Sequence, residues 1–264
     1  MLKFKIGSIF LMCFFTNTIA VAQGMEIKYH TTSVLTIDLH TETNMSDKQI
    51  ETLEKEFDRK FNHHYTLSQD QGRSSFLVDK EHKGLSIVDL GVNLILGKFD
   101  FGPIYKSIKD STFVMHPTLG GDSYTVSDSL VPYNWQLIDS TKVIKGYSCK
   151  LAKIKVKAGD NPIMNIRYNL DKSKNRLEGE VYAWYSEKLP ISNGPDVYWG
   201  LPGMILEVDE GNMVFHVDAI NMGDVDDDVF EVPAYEEPTI SSAEYDEIIT
   251  QWHLGLKKKF SKKK

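Results

Sequence analysis

Cysteine is scarce: the 264 residues hold two, Cys13 and Cys149. Cys13 sits in an N-terminal apolar run, so a disulfide-stapled scaffold is excluded and stability has to come from a packed core. Apolar runs of membrane-spanning length are lacking too. Ile6 to Phe15 falls well short of the roughly 20 residues that cross a bilayer as helix. Basic charge is in deficit, with 30 Lys and Arg against 37 Asp and Glu and a net charge of −7. A phosphate backbone needs a basic face, so no nucleic-acid partner is expected. The chain has no HExxH or tight His/Cys cluster, no G-x-S-x-G elbow, no P-loop and no dinucleotide fingerprint. No cofactor, no resident metal and no catalytic residue is expected.

The composition that remains is that of a folded protein, 41% hydrophobic and 11% aromatic. Lys3 and Lys5, the apolar run, and then Ala20-Val21-Ala22 form a secretory leader pattern. Cleavage is expected after Ala22, which makes the protein exported, either periplasmic or secreted. Residues 23–256 read as one β-rich domain and 257–264 as a basic tail.

Period-two alternation marks strands at Met25, Ile27 and Tyr29, at Leu35, Ile37 and Leu39, and at Ala152, Ile154 and Val156. Val181, Ala183 and Tyr185 form one face of a further strand, with Glu180, Tyr182 and Trp184 on the other. Asp209-Glu210-Gly211-Asn212 reads as a hairpin turn. It returns a strand with Met213, Phe215, Val217 and Ala219 on the core side. Asp139-Ser140-Thr141 reads as a turn. Ser46 with Gln49 is a capping box, predicting a helix from Asp47 to about His63, and Ser241 with Glu244 predicts a second. The fold class is therefore α+β: a large curved antiparallel sheet, a half-barrel, with an early and a C-terminal helix.

The most specific stretch runs from 145 to 208. It holds Lys145-Gly146-Tyr147-Ser148-Cys149-Lys150-Leu151-Ala152, then Ala183-Trp184-Tyr185, Leu189-Pro190-Ile191, Gly194-Pro195 and Gly200-Leu201-Pro202-Gly203-Met204-Ile205-Leu206-Glu207. These motifs, in this order, resemble the GLPGLI family of exported Bacteroidota proteins, with Met204 in place of the family's Leu. The resemblance implies export, a β-rich domain and no established activity. The order of strands and turns, with Phe230-x-x-Pro233 after it, is also similar in architecture to LolA-type lipoprotein carriers.

Within the signature, Leu201-Pro202-Gly203-Met204 suits a type II turn, in which Gly203 takes positive φ; Gly200, Pro202 and Gly203 are the turn residues. Prolines at 190, 195 and 202 keep residues 189–202 out of a central strand. Two roles suit that loop: a brace packed over the sheet, or a rim in which Trp184, Tyr198, Trp199 and Leu201 bind a hydrophobic ligand, a lipidated partner or a polypeptide. The alternative function is that of an envelope scaffold with a filled core, docking an unknown envelope protein. Cys149 lies in strand context, which suits a buried thiol better than a nucleophile. Asp224, Asp226 and Asp228 supply hard oxygen ligands for Ca²⁺ but lack EF-hand spacing, so a solvated loop is the simpler reading. Lys257 to Lys264 offers weak contact with an anionic surface.

Overall fold

The computed structural model describes residues 24–33, 46–52, 55, 62–79, 102–119, 122–157, 178–211 and 213–261. Its centre is a 12-stranded open sheet. One meander comprises β1 (Met25–Ser33), β2 (His64–Asp70), β3 (Arg73–Val78), β4 (Ile104–Ser107), β5 (Thr112–Met115) and β8 (Thr125–Ser129). The other comprises β9 (Gln136–Ile144), β10 (Tyr147–Lys157), β11 (Glu178–Ser186), β12 (Met204–Asp209) and β13 (Met213–Met222). The first strand joins the two meanders by pairing antiparallel with both β2 and β13. The strand order is β14-β8-β5-β4-β3-β2-β1-β13-β12-β11-β10-β9, so β9 is one edge. The other edge is β14 (Thr239–Ile240), parallel to β8. The short strands β6 (Thr118–Leu119) and β7 (Asp122–Ser123) form a separate ribbon.

Side-chain alternation puts one face of this sheet in the core. A row of directly opposed residues runs Ala152–Ala183–Val208–Phe215–Thr31, and all five are buried. Met25, Ile27 and Tyr29 carry the same face through β1, with Leu67, Phe76, Ile104 and Met115 beyond them. The hairpin at 209–213 forms as expected. Glu210 donates its N–H to the Met213 carbonyl, Gly211 takes φ +88°, and its N–H donates to Asp209 Oδ1. Met213, Phe215 and Val217 are on the core side, but the pattern then shifts. Asp218 has no partner where Lys28 pairs with Ala219 and Tyr29 with Val217, a bulge that turns Ile220 rather than Ala219 toward the core.

Both capping boxes are present. The Ser46 N–H donates to Gln49 Oε1 at 2.9 Å, and the Ser241 N–H to Glu244 Oε2 at 2.7 Å. The first opens the helix α1, described over 47–52, with Ile50 buried. It does not include His63 or His64, because 62–63 are coil and His64 begins β2. The second opens α2 (Ser242–Ser261), whose Tyr245 and Ile249 are buried. That helix takes in Lys257, Lys258 and Lys259, so the basic tail starts as helix. Leu35, Ile37 and Leu39 lie outside the described residues, as do the expected cleavage site and Phe57 and Phe61 of the first apolar stripe.

Two local readings are corrected. Asp139-Ser140-Thr141 is not a turn. Lys150 pairs with Thr141 and Leu151 with Ile138, so Asp139 and Ser140 are extra residues bulging inside the continuous strand β9. Gly203 does not have positive φ; Gly200 does, at +92°. Gly203 is needed for close approach instead: a Cβ there would stand 2.2 Å from the Ser186 carbonyl oxygen, whereas one on Gly200 would have Trp135 Nε1 nearest at 3.7 Å. The N–H of Gly203 donates to the Leu201 carbonyl, which closes a tight turn around Pro202.

These contacts set an order of costs. Gly203→Ala should destabilise the fold by about 3 kcal/mol, as overpacking against rigid backbone does. Gly200→Ala should cost about 1 kcal/mol, the penalty of a left-handed non-glycine residue. Urea denaturation of both variants checks this, and a larger loss for Gly200→Ala would refute the close-approach account.

Candidate functional site

The signature loop, residues 187–203 between β11 and β12, is a strap laid across the inner face of the sheet. Leu189, Val197, Tyr198, Trp199 and Leu201 are all buried, and each contributes about 2 kcal/mol by leaving water. Its backbone is irregular, so its polar groups need partners from outside the strand ladders. Lys106 on β4 supplies three bonds: its Nζ donates to the carbonyls of Gly194 at 2.8 Å, Asp196 at 2.9 Å and Tyr198 at 3.4 Å. Asn193, fully buried, donates through Nδ2 to Gln69 Oε1 on β2 and Ser74 Oγ on β3, and its Oδ1 accepts the Gly194 N–H. The Ile205 N–H donates to the Asn193 carbonyl, and the Tyr29 hydroxyl to that of Ile205 at 2.6 Å. Trp135 Nε1 donates to the Trp199 carbonyl and the Tyr133 hydroxyl to that of Val197. The strap thus ties strands of both meanders together.

One space beside it is small. A cavity of about 40 Å³ lies between Lys106, Phe113, Leu130, Tyr133, Val197 and Trp199. That admits about one water, against roughly 300 Å³ for the smaller ligand pockets.

The four residues proposed as a binding rim are therefore not together. Tyr198, Trp199 and Leu201 are inside the strap, whereas Trp184 is on the opposite face of the sheet. The reason is alternation: Ala183 and Tyr185 take the inner positions of β11 and leave Trp184 outward. There it heads a row of directly opposed residues across four strands and on to β2: Trp184–Glu207–His216–His30–His64. Lys142 of β9 sits over the Trp184 ring at 4.4 Å and donates to Glu207 Oε1 at 2.7 Å. His216 Nδ1 is 3.6 Å from Glu207 Oε2 and its Nε2 shares a 3.1 Å hydrogen bond with Thr32 Oγ1. The rings of His30 and His216 stack at 5.1 Å. His30 Nδ1 lies 2.8 Å from Asp218 Oδ1, and His64 Nδ1 3.6 Å from Asp218 Oδ2. The bulge at Asp218 is what aims its carboxylate at this row.

This ladder is partly exposed, chemically mixed, and the candidate site of the molecule. Sequence reading placed each histidine on a strand or helix end but not the three side by side. Strands from residues 30, 64 and 216 meet only through long-range register, which period-two patterns do not specify.

The other candidates resolve individually. Cys149 is buried, burial pushes its thiol up, and it contacts the Tyr147 carbonyl. Asp224, Asp226 and Asp228 do not converge on a cation, and among the described residues no three His, Cys, Asp or Glu side chains are placed to hold one. The carboxylate of that run with a structural contact is Asp227, which accepts from Arg73 at 2.8 Å, while the Arg73 guanidinium stands over the Phe230 ring.

A large open antiparallel sheet with an internal strap defines the class of fold. Over residues 135–207 the chain matches the family model described as a protein of unknown function, Porph_ging. That span contains β9, β10, β11, the strap and most of β12, the residues that carried the GLPGLI resemblance. Among solved structures, PNGF-II is similar in two crystal forms. The P21 form gives a TM-score of 0.50 at 14% identity, covering 87% of this chain and 34% of that one. The C2 form gives 0.48 at 15%, covering 87% and 33%. The chain thus spans about a third of the PNGF-II chain, and the likeness is one of fold. No curated protein matches the chain. The likeness to LolA-type carriers is not supported by these comparisons.

Burial pushes the Lys106 ammonium down to about 7, from an ordinary 10.5, with the Asp196 carboxylate opposing the shift. The unfolded chain keeps that proton to higher pH than the folded one, so raising pH across this window disfavours unfolding. Stability of the wild type should rise by about 1.4 kcal/mol per pH unit between about 7 and 10 relative to Lys106→Met, which lacks the titrating group. Urea midpoints of both proteins at pH 6, 8 and 9.5 measure this; parallel profiles would contradict it. Cys149 should stay unreactive toward a thiol reagent in the native protein and react on unfolding, and rapid native labelling would contradict its burial.

Proposed function

We propose that this chain is an exported, non-catalytic cell-envelope protein whose sheet is a filled scaffold that docks a partner polypeptide through its outer face. The observation that carries this reading is the strap. It occupies the inner face with apolar side chains and closes its own hydrogen bonds there, and the cavity beside it has room for about one water. An apolar ligand would have to displace Tyr198, Trp199 and Leu201 and orphan the carbonyls held by Lys106. That argues against a lipid carrier and for the scaffold alternative.

The leader pattern of residues 1–22 supports export. The buried thiol and the absence from the sequence of nucleophile-elbow, phosphate-loop and zinc-protease motifs support a non-catalytic role. The outer row combines a half-buried indole, three imidazoles, two carboxylates and an ammonium. Mixed polar and aromatic surfaces of this kind form the contacts of protein interfaces.

Two measurements test the reading. Mass spectrometry after native extraction and a fluorescent-lipid titration should both find no bound lipid. A photo-crosslinker placed at Asn221, the position of β13 opposite Glu26, should join the protein to one discrete envelope protein, and Trp184→Ala with His30→Ala should cut that adduct at least tenfold, as loss of central interface residues does. Stoichiometric lipid, or an adduct indifferent to both substitutions, would defeat the proposal.

A further inference from the structure

The two edges of the sheet are treated differently. At one, β14 has two residues, and the chain turns at once into α2, whose Ser242 N–H donates to Asp128 of β8. Such an edge offers little backbone to an incoming strand. At the other, β9 presents nine residues, Gln136–Ile144, with no proline among them. Among the described residues nothing pairs with its outer side. Its lysine is withdrawn: Lys142 is folded back onto Glu207 and Trp184 instead of projecting past the edge. Two apolar side chains remain in water, Leu137 at 66% and Val143 at 71% exposure.

Their positions are symmetric. Ser140 is the midpoint of β9, and Leu137 and Val143 stand at equal separations on either side of it. Leu137 opposes Ala152 and Val143 opposes Ser148, positions of equal parity on β10, so both side chains belong to the same face. In an antiparallel pair related by a two-fold axis normal to the sheet, opposed residues must share a face. A pair centred on Ser140 meets that condition. It matches all nine residues and sets each Leu137 against the other copy's Val143. The bulge at Asp139 and Ser140 falls at the centre, leaving Gln136–Ile138 to pair with Lys142–Ile144 of the second copy on both sides. Charge does not oppose the arrangement, since the strand carries one Asp and one Lys.

We propose that β9 is a homodimerisation edge, at which two copies of this chain pair antiparallel about Ser140 to make one continuous sheet across the two-fold. The proposal is independent of the partner-docking reading, which concerns the outer face.

The test uses the purified full-length chain. Sedimentation equilibrium should show the mass doubling with concentration, and Leu137→Lys with Val143→Lys should keep it monomeric. Because both sites are exposed, circular dichroism should show that variant folded. Leu137→Cys and Val143→Cys, mixed in equal amounts and oxidised, should give a disulfide dimer, because directly opposed Cα atoms in such a pair stand roughly 4.5–5.5 Å apart, within disulfide reach. Either variant alone should give at least tenfold less, with the wild-type chain reporting background from Cys13 and Cys149. A monomer at every concentration overturns the proposal. So does cross-linking no greater in the mixture than in the single variants.

Discussion

The constraint on which the rest of this structure depends is that an irregular stretch of backbone is buried. Residues 187–203 cannot join a ladder, because Pro190, Pro195 and Pro202 interrupt it, yet residues 193–199 within them are buried, with their amides and carbonyls away from water. Each such group left unpaired would cost about 1–3 kcal/mol. Lys106 answers that demand at three carbonyls and the Asn193 side chain at one amide, each from a buried position of its own. A cation satisfying three carbonyls is a demanding solution. It works only if the carbonyls are held still, which in turn requires Gly203 against Ser186 and Gly194 against Ile205, where a Cβ would be 2.7 Å from the Ile205 side chain. The glycines of the signature thus serve the hydrogen bonds of the lysine.

That arrangement also explains how two meanders become one sheet. The β1 pairing with β13 supplies a backbone seam, but a seam alone leaves a wide sheet free to twist. Tyr29 crosses from β1 to the Ile205 carbonyl, Gln69 and Ser74 reach Asn193 from β2 and β3, and Trp135 and Tyr133 hold the strap from the segment before β9. The strap acts as a crossbar whose contacts are spread over the sheet. Most of these partners are far apart in sequence, so the crossbar forms late in any folding order that begins with local hairpins.

How much of this was legible beforehand follows the range of the interactions. Hairpins and caps are local, and Ser46 with Gln49, Ser241 with Glu244, and the turn at Gly211 are as their residue types dictate. Trp184, Tyr198 and Trp199 are all aromatic and near in sequence, which suggests a shared surface. Alternation in β11 already assigns Trp184 to the face opposite Tyr185, and that signal outweighs proximity. The Pro-Gly pair at 202–203 suggests the commonest use of glycine, positive φ, whereas Gly203 serves close contact with the Ser186 backbone, which no local pattern encodes. The histidine row was beyond reach for the same reason, compounded by the bulge at Asp218, which shifts the register by one and redirects a carboxylate.

A curved sheet can use its inner face for binding or for stability, and in the scaffold reading proposed above the strap commits it to stability. On that reading recognition falls to surfaces the core does not use, the outer row and the long edge that we propose as docking and dimerisation surfaces. They differ in what they can recognise. The outer row offers side chains of both signs with aromatic faces, which select a partner by composition. The edge offers backbone, indifferent to composition, and gains selectivity only from the spacing of Leu137 and Val143. β9 participates in both, because Lys142 supplies the cation over Trp184 and by that contact leaves the edge unguarded. Removing Lys142 from the indole would return a charged side chain to the edge, the device by which sheet edges are ordinarily kept from pairing.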